Sequence, residues 1–418
     1  MSANETDMTE TSGMVSPPRR RPHILLCSAW QNVNIGDIAH TPGALALLEE
    51  YLPDVDVTLW AYTPLTSGAA AMIRQRFPRV SIVTGTVSPD DQASNEELGA
   101  ALSRADFFLH GSGPAMLGWA HAEAFSRCTG RPFGVYGVTY GLYGIPEKAT
   151  LSRTRFTYFR ESVSLETARR DGVQAPIMEF APDAAFAFNQ RDEVKAITFL
   201  RDHDLEEGNF LCCISRLRYT PFWEMSSKNT PFDPARHARN EAKKESDHEP
   251  LREAIIAVTR QTTMKVLICP EDETQMRITR ENLVERLPKD VLERVVWREA
   301  FWLPDEALAV YARSAGLFGS EMHSPIMCIG SGIPAVVCRW EEQSTKGYMW
   351  RDIGLGEWLF DLDKNEEASG VAGAVLAIAK DPAAARAKAA RARDLVRARF
   401  GETMGVVRQE VLAASHGA

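Results

Sequence analysis

Histidine, arginine, lysine and carboxylate side chains gather at a few places where a short apolar run of this sequence gives way to small or turn-forming residues. The strongest is Gly319-Ser320-Glu321-Met322-His323-Ser324-Pro325, which closes one apolar run and opens another. A histidine at such a strand-to-helix turn can act as a general acid or base near neutral pH, and the N–H groups of the helix it opens can receive an anion. His323 is therefore the leading catalytic candidate, with Glu321 supplying a carboxylate within the same turn. Arg216 and Arg218 leave the run Cys212–Ser215 and can clamp a phosphate or carboxylate with paired donors. Lys346, in Gln343-Ser344-Thr345-Lys346-Gly347, follows the next apolar run and can reach the same crevice.

Two further clusters close earlier runs. In Asn32-Val33-Asn34-Ile35-Gly36-Asp37, Gly36 permits close backbone approach to a ligand, Asn34 and Asp37 can bond hydroxyls, and Thr41 with Pro42 can open the following helix. In His110-Gly111-Ser112-Gly113-Pro114, two glycines around a serine suit a tight turn under a ligand. This is not the dinucleotide fingerprint, and no GxxxxGK[ST] occurs, so no nucleotide cofactor is expected. Arg160-Glu161-Ser162 and Pro182-Asp183 set charges beside turn formers, as capping or an ion pair requires. Glu271 and Asp272 add carboxylates after the run ending at Cys269, but His and carboxylates at unfixed distances do not specify a metal, and none is assigned.

These residues need a scaffold, and the spacing of apolar residues supplies one. Runs over His23–Ala29, Val55–Trp60, Val80–Val83, Ala105–His110, Pro132–Val138 and Arg155–Phe159 read as strands. Helical spacing over Ala39–Leu52, Gly68–Arg76, Asn95–Ser103 and Ser162–Asp171 alternates with them. The same logic restarts near residue 190. Strands are expected at Asn209–Ser215, Met264–Cys269, Arg294–Trp297, Gly316–Gly319 and Ala335–Arg339, with helices at Leu251–Thr262, Arg277–Leu287, Glu306–Ala312 and Ser324–Ser331. The order predicts an α/β protein of two doubly wound, mostly parallel Rossmann-like sheets. The expected parts are a loose tail over 1–20, a first domain over 21–188, a second over 189–365 and closing helices over 366–418. Arg216–Pro250 holds no period and reads as a long loop, whose aromatics Tyr219, Phe222 and Trp223 suit packing against sugar rings.

Composition narrows the function. The 418 residues carry 47 Lys plus Arg against 56 Asp plus Glu, a net charge of −9, which leaves no global basic field for a nucleic acid. Seven cysteines form no CxxC pair and most lie in apolar runs, so buried free thiols and a reducing, cytoplasmic setting are expected. No apolar stretch approaches the ~18 residues of a membrane span.

Taken in order, Asn34-Ile35-Gly36-Asp37, the turn Gly111–Gly113, Arg160-Glu161-Ser162, Pro182-Asp183 and the block from Met322-His323 through Gly332-Ile333-Pro334 to Lys346 resemble the polysaccharide pyruvyl transferase family. The resemblance covers about residues 23–360. It implies two Rossmann-type halves facing a cleft as in GT-B glycosyltransferases, and transfer of pyruvate from phosphoenolpyruvate to a sugar as a ketal. On the donor side it implies His323 with the adjoining Met322 and Ser324, and Arg216, Arg218 and Lys346 for the charged groups. On the acceptor side stand Asn34, Gly36, Asp37, His110 and Ser112, with Tyr219 and Trp223 against the sugar. One departure is chemical: the family commonly has arginine two positions before the histidine, where this chain has Glu321. An anion in place of a cation reverses a Coulomb term of about 4 kcal/mol at about 4 Å and an effective dielectric of about 20. The same fold also accommodates a carbohydrate lyase or hydrolase using Glu321 and His323, a nucleotide-sugar glycosyltransferase, or a sugar-binding protein without catalysis.

Overall fold

A computed structural model describes residues 20–416; the tail expected over 1–20 lies, except for Arg20, outside the described residues. The first sheet contains β1 (His23–Ser28), β2 (Asp56–Ala61), β3 (Ser81–Val83), β4 (Phe107–His110), β5 (Phe133–Val138), β6 (Thr157–Phe159) and β7 (Met178–Phe180). Its order is β3-β2-β1-β4-β5-β6-β7, and every pairing is parallel. The second contains β8 (Phe210–Ile214), β9 (Lys265–Ile268), β10 (Val295–Trp297), β11 (Gly316–Gly319), β12 (Ala335–Arg339) and β13 (Leu359–Asp361). It runs β10-β9-β8-β11-β12-β13, again wholly parallel. In both sheets the order reverses beside the first strand, and open parallel sheets bind ligands at that switch point, beyond the strand C-termini.

The central strands β1, β8 and β12 are buried at every residue, as a sheet covered on both faces demands. The edge strands β7 and β13 have three residues each, too few to display a period in the sequence. The first-sheet helix opens at Ile35, four residues ahead of the expected start, and carries Pro42 inside it. Of the seven thiols, all free, six are buried. Among the described residues no helix is long and apolar enough to cross a membrane.

The charged run Arg236–Glu249, expected as loop, belongs to a 28-residue helix, Pro234–Gln261. Asp233 caps it by accepting from the N–H groups of Ala235 and Arg236, and Pro234 occupies the first turn, where its missing N–H costs nothing. Apolar period is absent because polar side chains form the buried face over its first half. Asn240 bonds the backbone of Tyr219 in both directions, and Asp247 receives Arg218.

The halves are joined at several points. The short turn Ala184–Ala187 lies between the helix Ile35–Tyr51 and the helix His323–Gly330, approaching so closely that a Cβ on Gly330 would fall 1.9 Å from the Phe186 carbonyl oxygen. Ser162 donates twice to Asp352, at 2.8 and 2.7 Å, and Thr345 Oγ1 donates to Glu161 at 2.8 Å. The closing helix Pro382–His416 returns to the first sheet, where Thr403 Oγ1 meets the Tyr136 hydroxyl at 2.7 Å and Arg399 Nε donates to the Phe180 carbonyl.

Candidate functional site

Where the C-terminal ends of the two sheets meet, loops from both enclose a cavity of about 250 Å³. Asn34, Asp37 and Pro114 line it from the first half, and Arg216, Tyr219, Phe222, Asp272, Glu321, His323 and Lys346 from the second. A larger surface cavity of about 690 Å³ beside the helix Glu96–Arg104 brings together no buried ionisable side chain.

The floor is a backbone junction. Asn34 and Asp272 form an isolated bridge between the halves, and the Ile35 N–H donates to the Glu271 carbonyl at 2.9 Å. The Asn34 side chain caps the first helix, accepting from the N–H groups of Gly36 at 2.7 Å and Asp37 at 3.3 Å. Gly36 serves a different approach from the one its sequence context implied: a Cβ there would lie 2.0 Å from His323 Cβ, so the absent side chain makes room for the imidazole. Gly36→Ala is expected to lower turnover by about 10²-fold through displacement of His323, with both sheets retained, as steady-state kinetics and circular dichroism can check.

His323 opens its helix and is 6% exposed. Its Nδ1 lies 3.2 Å from Glu271 Oε1, and the other Glu271 oxygen accepts from the Ser324 N–H at 2.7 Å. Burial opposes the Glu271 charge, yet the bonds from His323 and Ser324 hold its carboxyl below the usual range. This carboxylate fills the helix N-terminus that the sequence offered to an anionic ligand. A carboxylate facing Nδ1 fixes the proton there and leaves Nε2 as the ring's acceptor. Among the described residues, His323 Nε2 has no hydrogen-bond partner.

Facing it is a histidine that apolar spacing concealed. His40 lies one helical turn beyond Asp37 and is fully buried, with its ring centroid 5.1 Å from that of His323. Its Nδ1 is 2.9 Å from Asp183 Oδ1 and 2.8 Å from Ser112 Oγ, and its Nε2 also lacks a partner among the described residues. Asp183 further receives Arg160 at 2.9 Å, both side chains being fully buried. Against the desolvation imposed by burial, His40 and Arg160 hold Asp183 far below the ordinary carboxylate range.

Glu321 is 1% exposed. Gln275 Nε2 donates to it at 2.7 Å and Arg216 Nη1 approaches at 3.4 Å. Burial pushes its carboxyl up to about 7, with Arg216 pulling the other way. Burial also lowers the Lys346 ammonium, opposed by the charge of Glu321. Two basic side chains, Arg216 and Lys346, thus stand beside Glu321 from two other loops.

The remaining expected residues separate into those at the cleft and those held elsewhere. Tyr219 lines the cavity beneath the guanidinium of Arg236, which lies 5.2 Å from its ring, and Phe222 stands with it. Trp223 does not join them: it packs on Phe232, with ring centroids 5.4 Å apart, and lines a separate small cavity. Arg218 reaches the cavity wall, but Asp247, Glu342 and Asp363 occupy its donors at 2.7–2.9 Å, so it orders loops and is not free to clamp an anion. Met322 and Ser324 are fully buried, the first in the core and the second bonded to Tyr311 and Glu271. His110 and Ser112 are buried behind the cleft. The Nδ1 of His110 donates to the Gly111 carbonyl, its Nε2 accepts from the Gly118 N–H, and its ring stacks on Trp30.

The fold is similar to that of Anabaena Alr3699/HepE in complex with UDP and glucose, at a TM-score of 0.56 and 12% identity over 94% of this chain and 100% of that one. It is also similar to a UDP-glucosyltransferase from Polygonum tinctorium, at 0.54 and 10% over 94% and 99%. The α,α-trehalose 6-phosphate synthase of Burkholderia multivorans gives 0.53 and 10% over 95% and 100%. The architecture is therefore that of the GT-B glycosyltransferases. No curated protein matches the chain by sequence. The family model for polysaccharide pyruvyl transferase matches residues 34–342, from the Asn34 cap on one wall of the cleft to Glu342 on the other, and the chain accordingly belongs to the polysaccharide pyruvyl transferase family.

Proposed function

We propose that the chain transfers the pyruvyl group of phosphoenolpyruvate to two hydroxyls of a sugar or polysaccharide precursor, forming a ketal and releasing phosphate. The observation that carries this reading is the meeting of Arg216, Lys346 and His323 in one interdomain cavity, within a chain of this family. A donor bearing both phosphate and carboxylate needs two cationic contacts, and Arg216 and Lys346 come from separate loops that can take one group each. Tyr219 and Phe222 offer the acceptor ring an apolar face.

The reaction follows from charge and alignment. A proton adds to the methylene carbon of the donor, leaving C2 electron-poor. One sugar hydroxyl attacks C2, the bond from C2 to the phosphate oxygen breaks, and the second hydroxyl closes the ketal. One hydroxyl proton balances the proton taken by the methylene carbon and the other leaves with phosphate. His323 serves as the acid or base at the cavity wall, Asp37 orients the acceptor from the facing half, and Glu321 stands beside the cations on the donor wall.

The test combines phosphoenolpyruvate with a panel of sugar acceptors and follows phosphate by colorimetry and the new methyl group by NMR. Phosphate release matched by ketal formation is the expected result. Consumption of a UDP-sugar without phosphoenolpyruvate, or an unsaturated or shortened sugar in its absence, would overturn the reading and assign the cleft to glycosyl transfer or to acid–base cleavage.

A further inference from the structure

Two buried imidazoles, each with an Nε2 unpartnered among the described residues, meet edge to face at the junction of the halves, and a carboxylate stands beside them. One donor atom each from Asp37, His40 and His323 lies within 4.8 Å of the others, and all three side chains are buried. We propose that these residues bind a divalent first-row transition-metal ion that links the two halves at the wall of the cleft.

The donor chemistry fits. Two imidazole nitrogens and one carboxylate oxygen form a set suited to zinc, manganese or iron, with positions left for exogenous oxygen ligands. Each histidine also has the outer partner that metal-binding imidazoles ordinarily have: Nδ1 of His40 faces Asp183 at 2.9 Å, and Nδ1 of His323 faces Glu271 at 3.2 Å. Such partners fix the tautomer, aim Nε2 and increase its basicity. Neither Nε2 has a hydrogen-bond partner among the described residues, although both are buried, and an unsatisfied buried nitrogen carries a free-energy penalty that a ligand removes. Gln31 donates to one oxygen of Asp37, leaving the other for the ion. Donors at about 2.1 Å on a tetrahedral ion stand about 3.4 Å apart, so side-chain movements of about 1 Å bring the three onto one ion.

The placement joins binding to architecture. Asp37 and His40 come from the first helix of the first half and His323 from the second half, so the ion bridges two chain segments nearly 300 residues apart in sequence. Its open face is the cavity in which the proposed acceptor hydroxyl lies, where it would orient that hydroxyl and lower its pKa in place of a free imidazole. This role rests on the pyruvyl-transfer reading, whereas the binding site itself does not.

The experiment strips the full-length chain with a chelator, removes the chelator and titrates cobalt(II) and zinc(II), following cobalt by its visible ligand-field bands and zinc by calorimetry. One ion per chain, with affinity reduced at least about 10²-fold in both His40→Gln and Asp37→Asn and a melting temperature raised by the ion only in the unaltered protein, is the expected result. Asp37→Asn keeps a side chain of the same shape at the cavity rim, so it remains informative if His40→Gln fails to fold. Absence of binding, or equal binding by the unaltered and substituted chains, would overturn the site. Phosphate release measured on the same samples bears on the reaction alone: an ion bound by a chain that releases no phosphate keeps the site and removes the pyruvyl-transfer reading.

Discussion

Phosphate release from phosphoenolpyruvate is expected to fall by about 10²–10⁴-fold in His323→Ala, the range that positioned acid–base groups contribute. Three features place the effect in this side chain. The imidazole is held by Glu271, it rests on the bare Cα of Gly36, and its Nε2 has no hydrogen-bond partner among the described residues. The substitution also leaves the Glu271 carboxylate with Ser324 as its one remaining partner among the described residues, so the variant should melt below the unaltered chain. Steady-state kinetics well below that melting temperature separate the two consequences. Undiminished phosphate release by the folded variant would remove the histidine from the reaction.

Asp183→Ala is expected to destabilise the fold by about 3–5 kcal/mol, because it strands the fully buried Arg160 guanidinium without its carboxylate. The same oxygen pair receives His40 and the Ala185 N–H, so the loss spreads to the turn between the halves. Removing both charges, as in Arg160→Met with Asp183→Leu, leaves no isolated ion and should cost less than Asp183→Ala alone. Urea denaturation midpoints, compared at constant slope, measure both variants. A neutral Asp183→Ala would mean that water reaches Arg160 in solution.

Much of this scaffold is readable in the sequence because its central strands are covered on both faces and appear as unbroken apolar runs such as His23–Ser28 and Ala335–Arg339. The first part of the helix Pro234–Gln261, before Leu251, is not readable that way, since Asn240 and Asp247 occupy positions where apolar side chains would have displayed the period. Its Asp233-Pro234 start was the available signal. At the cleft, His323, Arg216, Lys346 and Tyr219 stand at strand ends, where topology alone brings them together. His40 lies inside an apolar helix, and only its spacing of three from Asp37 hints at a shared face. His110 and Ser112 show the reverse: a strand end rich in glycine resembles a ligand turn, but Trp30 and His40 already occupy its polar groups.

Glu321 illustrates how a local departure is absorbed by the tertiary structure. In sequence it removes a cation from beside the histidine. In the fold, Arg216 lies 3.4 Å from its carboxylate and Lys346 shares the cavity, so two basic side chains stand beside the buried acids Glu321 and Asp272.

The most direct test of the account is calorimetric titration of phosphoenolpyruvate into the full-length chain and into Arg216→Ala. One molecule bound per chain is expected, with an affinity about 10–100-fold weaker in the variant, the size of a lost charge-assisted contact. Equal affinity in the two proteins, or no binding of phosphoenolpyruvate by a chain that binds UDP, would contradict it.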